Sequence, residues 1–405
     1  MYHLKFRQFM GNNLICRTME SALSKSFNYL PTITITGPRQ SGKTTLCRTC
    51  LSDLPYVNLE DYHTLEQLQN DPKGFIARFP NGVIIDEAQR WPQIFSYLQV
   101  EVDNDRINGG SRRFVVSGSS NFALLAKVTQ SMAGRTAVLT LLPLTVSEIL
   151  SSYPGTSTDE LLLRGGFPAL WGIDFRGVDV LMSSYLSTYI ERDLRSLLNI
   201  KDLHAFQTFL RLCAGRIGQE FNASAMSVEV GVSVPTIQSW LSILEASYVV
   251  TLLRPYYQNI GKQLTKSPKL YFCDCGLAAW LLGIRSTEQM ALHPLRGNLF
   301  ENMVVTDFIK TDLNRGLSNQ FFFYRDKTRH EVDLLRILPD GHIQAFEIKS
   351  GKTYTPQWTK HLSYLCNLLG ERVQTTAVIY DGEENNFAPE GGFANCRQAA
   401  KLLID

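Results

Sequence analysis

The sequence predicts an α/β protein in three parts, and three observations lead to that class. Strand-like and helix-like segments alternate from residue 32 to 141, apolar spacing turns helical from about Glu160 to Leu282, and mixed strand and helix return from about Gly297. A chain of 405 residues also exceeds what one compact core holds. The expected division is a parallel-sheet domain at 1–150, a helical domain at 151–285 and a second α/β domain at 286–405.

The first part reads element by element. Thr32–Thr36 is a β-branched strand, and a helix runs from Lys43 to Leu51. Tyr56–Leu59 is a strand, Asp61 to Phe79 is mostly helical, and Gly82-Val-Ile-Ile-Asp86 is a buried strand. A helix from about Trp91 to Asp103 leads to strand Arg113–Ser117, then helix Phe122–Lys127 and strand Ala137–Leu141. Alternation of this kind gives a parallel sheet covered by helices on both faces. Pro143-Leu144 breaks the pattern, and Tyr153-Pro-Gly-Thr-Ser reads as a turn or linker.

Composition narrows the function classes. With 44% hydrophobic and 19% charged residues and a net charge of +2, the chain is neither disordered nor a polybasic nucleic-acid coat. No apolar run approaches the roughly 20 residues of a membrane helix, and the first residues lack a secretory pattern, so no membrane partner and a cytoplasmic location are expected. The eight cysteines are scattered among apolar residues, as reduced thiols are. Cys47/Cys50 and Cys273/Cys275 lack the turn glycine or nearby histidine of a zinc site.

Gly37-Pro38-Arg39-Gln40-Ser41-Gly42-Lys43-Thr44, followed by Thr45, has the spacing of a phosphate-binding loop, or P-loop. Its glycines let backbone N–H groups curl around phosphates, Lys43 supplies a cation to the β- and γ-phosphates, and Thr44 offers a hydroxyl to Mg²⁺. The helix that starts there turns its positive end to the same anion. ATP and Mg²⁺ are the expected ligands. Val83-Ile-Ile-Asp86-Glu87 ends a buried strand on two acids, Asp86 for Mg²⁺ and Glu87 to polarise the attacking water. Ser117, Ser119 or Asn121 at the end of the next strand would touch that water or the γ-phosphate, while Ser120 or Asn121 would cap the following helix. Arg135 is the candidate transition-state arginine, acting in cis or on a neighbouring subunit.

These motifs resemble a large group of predicted AAA-type ATPases of bacteria and archaea, whose C-terminal half was long classed as a domain of unknown function. The likeness rests on Gly37–Thr45, Ile84-Ile-Asp-Glu-Ala-Gln89, Ser117–Ser120, Gly134-Arg135 and Leu142-Pro-Leu-Thr-Val-Ser-Glu148. It extends to Gly165-Gly-Phe-Pro168, Tyr189–Asp193 and Gly297–Glu301. The resemblance implies an AAA-like core with Asp86 and Glu87 in their usual roles, and self-association into a ring or filament. A second sensor arginine has no firm match, Arg192 being the candidate.

Residues 222–250 read as a helix-turn-helix, with helices Ser224–Val230 and Val234–Leu244, Leu241 and Leu244 facing inward. Segments 249–255 and 262–271 would form a wing carrying Lys262, Lys266 and Lys269 beside Tyr256 and Tyr257. The second helix offers Thr236, Gln238 and Ser239 but no arginine for guanine edges, so DNA contact and plain protein contact both remain open.

Near the C-terminus, strand Glu331–Ile337, turn Asp340-Gly341 and strand Gln344–Lys349 would bring Asp333 close to Glu347 and Lys349, with Glu301 on an upstream helix of about Leu299–Thr311. Carboxylates around one Mg²⁺ with a lysine beside them are what metal-assisted phosphodiester cleavage needs. The pattern resembles the restriction-endonuclease-like fold, with Val332 where proline is usual. The overall expectation is an ATPase whose hydrolysis acts on DNA. The rival is a nucleotide-dependent switch that binds a protein partner through a silent nuclease-like lobe.

Overall fold

The structure is a computed structural model describing residues 14–118, 131–188, 202–256, 267–318, 320–388 and 391–403. It resolves into two compact units, one of residues 1–143, 246–248 and 313–317, the other of residues 144–245, 249–312 and 318–405.

In the first unit, α1 (Glu20–Ser26) precedes β1 (Thr32–Thr36), α2 (Lys43–Cys50), β2 (Tyr56–Asn58), α3 (Tyr62–Asn70) and α4 (Pro72–Ala77). β3 (Gly82–Asp86), α5 (Ile94–Ile107), β4 (Arg113–Ser117) and β5 (Thr136–Thr140) follow. The strands form one parallel sheet in the order β2-β3-β4-β1-β5. Strand periodicity sorts its apolar residues onto two faces. Val83, Ile85, Phe114 and Val116 pack on Phe75, Phe95 and Leu98. Their neighbours Ile84 and Val115 join Ile33, Ile35, Leu46 and Cys47 on the opposite face.

Two of the threonines of β1, Thr34 and Thr36, are satisfied laterally. Thr34 and Thr136 share a hydrogen bond of 3.0 Å and Thr36 and Thr140 one of 3.2 Å across the β1–β5 pairing. Asp61 and Asp71 cap α3 and α4 by accepting from the N–H groups of Thr64 and Gly74. The mostly helical stretch expected over 61–79 is thus two helices.

The second unit begins with α6 (Val146–Ser152), α7 (Thr158–Arg164), α8 (Phe175–Tyr185) and α9 (Leu203–Gly215). α10 (Ala223–Val230) ends on Gly231 at φ 77°, where a left-handed residue closes the helix, and α11 (Val234–Ala246) follows. Leu241 and Leu244 of α11 are buried, as their spacing predicts. β6 (Val250–Pro255) and β7 (Lys269–Phe272) pair antiparallel.

After α12 (Cys275–Leu281), α13 (Thr287–Leu292) and α14 (Arg296–Asn314) come β8 (Gln320–Arg325), β9 (Glu331–Ile337), β10 (Ile343–Lys349), α15 (Lys360–Leu369), β11 (Val373–Tyr380) and β12 (Gly392–Asn395). Seven strands form one mixed sheet ordered β12-β11-β10-β9-β8-β6-β7. The wing-like strands of the middle segment are therefore the edge of the sheet built by the last hundred residues, since β6 runs parallel to β8. Strand pairing is non-local and leaves no mark in local periodicity. Leu362 and Leu365 of α15 cover one face of the sheet, and Phe308 of α14 meets Phe346 edge-on at 4.9 Å.

Candidate functional site

The P-loop leaves β1 through Gly37 at φ 145°, where an added Cβ would lie 2.1 Å from the Leu141 carbonyl oxygen. It passes Gln40 at φ 62° and enters α2 from Gly42 at φ 93°. A left-handed residue ahead of the first helical turn is what gathers successive N–H groups into an anion-binding concavity. Lys43 is buried, and its Nζ donates to the carbonyls of Gly37 at 3.0 Å and Pro38 at 2.7 Å. Burial lowers its pKa to about 8, against the opposing pull of Glu87 and Asp86.

Asp86 and Ser117 end the adjacent strands β3 and β4, which brings them together. The Ser117 hydroxyl donates to Asp86 Oδ1 at 2.5 Å, and the Thr44 hydroxyl to Asp86 Oδ2 at 2.6 Å. The Glu87 N–H donates to Oδ1 at 3.0 Å and the Tyr56 hydroxyl to Oδ2 at 2.9 Å. Glu87 itself stands at φ 57°, accepts from Gln89 Nε2, and has its pKa raised by burial. Arg17 supports the loop by donating to the carbonyls of Ser41 at 2.7 Å and Leu142 at 2.8 Å.

These residues suit a Mg²⁺–nucleotide. The Thr44 hydroxyl and Asp86 form the pair that holds Mg²⁺ in P-loop proteins, and the buried Ser41 hydroxyl has no hydrogen-bond partner inside the protein. The sequence motifs thus meet in one place: Lys43, Thr44, Asp86, Glu87 and Ser117. Gln89 lies in the Ile84–Gln89 motif, but Tyr56 and Arg17 carry no sequence signal, because neither tyrosine on a short strand nor arginine before a helix has a diagnostic spacing.

Arg135 lies elsewhere in contact terms. Its guanidinium grips Asp103 through Nε to Oδ1 at 2.7 Å and Nη2 to Oδ2 at 2.8 Å, on a partly exposed surface. Ser119, Ser120, Asn121, the helix 122–127, Arg192 with its motif 189–193, Tyr257, Lys262 and Lys266 lie outside the described residues.

The C-terminal carboxylates make two sets of direct contacts, and Asp333 and Glu301 act on each other across them. Lys349 Nζ reaches Glu347 Oε1 at 2.6 Å and Asp333 Oδ2 at 3.5 Å, while Asp333 Oδ2 also accepts the Ile348 N–H at 2.8 Å. Glu347 Oε2 is buried without a hydrogen-bond partner, and burial together with Asp333 raises the Glu347 pKa. Glu301 instead accepts from the Tyr271 hydroxyl at 2.6 Å and faces Lys269 at 3.4 Å, which in turn pairs with Glu331 at 2.6 Å. Asp333, Glu347 and Lys349 come together as expected. Among the described residues no group of three or more His, Cys, Asp or Glu side chains is placed to hold a metal ion.

Lys269 also corrects the reading of a basic wing. It is buried among these acids and does not extend an exposed patch, and the Tyr256 hydroxyl accepts from Arg372. The sequence could not reveal this because Glu301 and Glu331 lie 32 and 62 positions away.

Fold and site together define a P-loop ATPase of AAA type, the class whose members bind and hydrolyse ATP. Residues 30–150 match the family described as AAA domain, and residues 155–288 and 296–397 match two families described as domains of unknown function, DUF8612 and DUF4143. Uncharacterized protein Rv2008c of Mycobacterium tuberculosis is 30% identical over 370 residues, covering 91% of this chain and 80% of its own length. The chain belongs to the family of AAA-domain proteins that includes this mycobacterial relative.

Uncharacterized protein MJ1544 of Methanocaldococcus jannaschii is 24% identical over 332 residues, 74% of this chain and 71% of that one. Among solved structures, the Walker-type ATPase PABY2304 of Pyrococcus abyssi is similar at a TM-score of 0.43 and 15% identity, over 66% of this chain and 96% of its own. No helix among the described residues is long and apolar enough to cross a membrane.

Proposed function

We propose that this protein couples Mg²⁺-dependent ATP hydrolysis within residues 1–150 to the handling of DNA by residues 151–285 and 286–405. The observation that carries the first half is the convergence of Thr44, Ser117 and Glu87 on Asp86. In this reading the N–H groups of Gly37 to Thr45 and the Lys43 ammonium bind the phosphates. Thr44 and Asp86 would hold Mg²⁺, which when bound neutralises charge on the β- and γ-phosphates. Glu87 accepts the proton of a water whose oxygen bonds the γ-phosphorus as the bond to the β–γ bridging oxygen breaks. ADP leaves with the bridging oxygen, and Ser117 keeps Asp86 oriented throughout.

Arg135 would exchange Asp103 for phosphate to serve a transition state, in cis or in a neighbouring subunit. A role in a neighbouring subunit requires a ring or filament. Support for the DNA half comes from the α10–α11 helix pair and from Asp333, Glu347 and Lys349 on adjacent strands. Duplex, branched and single-stranded DNA added to the purified chain should raise ATP turnover and bind with a steep salt dependence. Unchanged turnover with all three, and no salt-sensitive binding, would refute the DNA half.

A second reading, a nucleotide-dependent switch that docks a protein partner, has an observation in its favour. The exposed side of α11 carries Gln238, Ser239 and Ser242 with no basic side chain, and Lys269 is spent inside the fold. Cleavage by the C-terminal lobe would depend on Lys349, so Lys349→Ala should abolish any Mg²⁺- or Mn²⁺-dependent cutting while leaving nucleotide binding intact.

A further inference from the structure

An ionised carboxylate offers about four acceptor directions, and Asp86 has a donor for each of them. Ser117 and the Glu87 N–H take Oδ1; Thr44 and Tyr56 share Oδ2. Three of these donors belong to the motifs of the nucleotide site. The fourth, Tyr56, comes from β2, outside every one of them.

Its placement follows from the sheet. β2 runs parallel to β3 with Tyr56 opposite Ile84 and Asn58 opposite Asp86. Tyr56 and Asp86 therefore share a face as diagonal neighbours, a separation that a long aromatic side chain spans. The ring is held from two sides. It packs against the core cluster of Ile33, Leu46 and Cys47, and the Arg48 guanidinium lies 4.9 Å from its centroid. Arg48 belongs to α2, the helix that opens with Lys43 and Thr44. The phenol oxygen is thus fixed relative to both the loop and the strand end.

We propose that Tyr56 is a positioning residue for the Mg²⁺–nucleotide. Its hydroxyl holds Asp86 Oδ2 so that the Thr44 hydroxyl, still donating to that oxygen, presents its lone pairs to the metal. Without it, Asp86 is restrained on Oδ2 by Thr44 alone, and metal binding must then supply the order that Tyr56 supplies in advance. This role rests on the ATPase reading and extends it to a residue beyond its motifs.

The test is nucleotide-dependent Mn²⁺ binding to the full chain, read by electron paramagnetic resonance with ADP or a non-hydrolysable ATP analogue. The signal without nucleotide is subtracted, so that binding elsewhere does not count. Tyr56→Phe should weaken Mn²⁺ binding by about ten-fold or more, the usual effect of losing a partner of a metal-site residue. Binding of a fluorescent nucleotide in EDTA should stay unchanged, as should the melting temperature. In turnover, the Mg²⁺ concentration for half-maximal hydrolysis should rise by a similar factor, with KM for nucleotide at saturating Mg²⁺ unaltered.

Equal Mn²⁺ affinity in the two proteins would overturn the proposal. So would an equal loss of nucleotide binding in EDTA, which would mark a merely structural tyrosine. If the unsubstituted chain shows no nucleotide-dependent Mn²⁺ signal at all, the ATPase reading itself falls, and the tyrosine's role falls with it.

Discussion

Gln89 donates from Nε2 to the Glu87 carboxylate, two residues back along the chain. Glu87 sits in the left-handed region at φ 57°, a conformation that costs a non-glycine residue energy and recurs at functional sites. The backbone thus turns Glu87 away from the strand direction that Asp86 follows, and Gln89 fixes where its carboxylate rests. Two consecutive acids acquire separate surroundings, one gathering hydroxyls and the other held by an amide.

In the proposed hydrolysis Glu87 is the proton acceptor, and Glu87→Gln removes it while keeping the shape. Nucleotide affinity should be retained, while phosphate release falls about 10²–10⁴-fold, the usual contribution of a positioned general base. A fluorescent-nucleotide titration and a phosphate-release assay on the same preparation check both halves. Equal turnover in the two proteins would assign the base elsewhere.

The proposed phosphate contact of Lys43 predicts a pH dependence of nucleotide binding. Burial holds its pKa near 8 in the free protein, and phosphate beside the ammonium must raise it. Binding therefore takes up a proton once the free lysine has lost one. Affinity should be flat from about pH 7 to 8 and then fall up to about ten-fold per unit above pH 8. The nucleotide Kd measured between pH 7 and 9.5 decides it; a flat profile would remove Lys43 from the phosphates. In the free protein the same lowered pKa makes stability rise with pH from about 8 to the unfolded value near 10.5, where the unfolded chain binds more protons.

Arg336 is fully buried and grips Asp312 through Nε and Nη2, each at 2.7 Å, while Nη1 donates to Gln344 at 2.8 Å. Asp312→Asn leaves a buried guanidinium short of its counter-charge and should destabilise the second unit by about 3–5 kcal/mol. Chemical denaturation followed by a probe in that unit measures it. Replacement of both partners by apolar residues should cost much less.

Glu347 should make stability fall with rising pH. Its raised pKa means that the folded state binds more protons than the unfolded state from about pH 4.5 upwards. Stability from this group is complete below the unfolded pKa and declines as pH rises through the folded one. Glu347→Gln, which mimics the protonated form, should melt at a higher temperature than the parent at pH 8.5 and near the same temperature at pH 4.5. Thermal melts at the two pH values test the sign.

Local pattern alone determined much of this protein. The P-loop spacing, the β-branched strand before it and the helix after it placed Gly37 to Thr45, because phosphate binding needs contiguous backbone and contiguous backbone is written in order. Runs of apolar residues ending on Asp86 and Ser117 marked two strand ends, and strand, turn and strand near Asp340-Gly341 foretold that Asp333, Glu347 and Lys349 would meet.

Only the tertiary structure decided what depends on lateral neighbours. Tyr56 reaches Asp86 because β2 lies beside β3, Arg135 is matched with Asp103 by chain folding, and Lys269 enters the acidic cluster because β6 and β7 join a sheet begun far downstream. Pairing between distant segments is set by which faces and edges pack together, and hydrophobic periodicity fixes a face without naming its neighbour. The nucleotide site was therefore readable along the chain, whereas the residues that hold its parts in register came from across it.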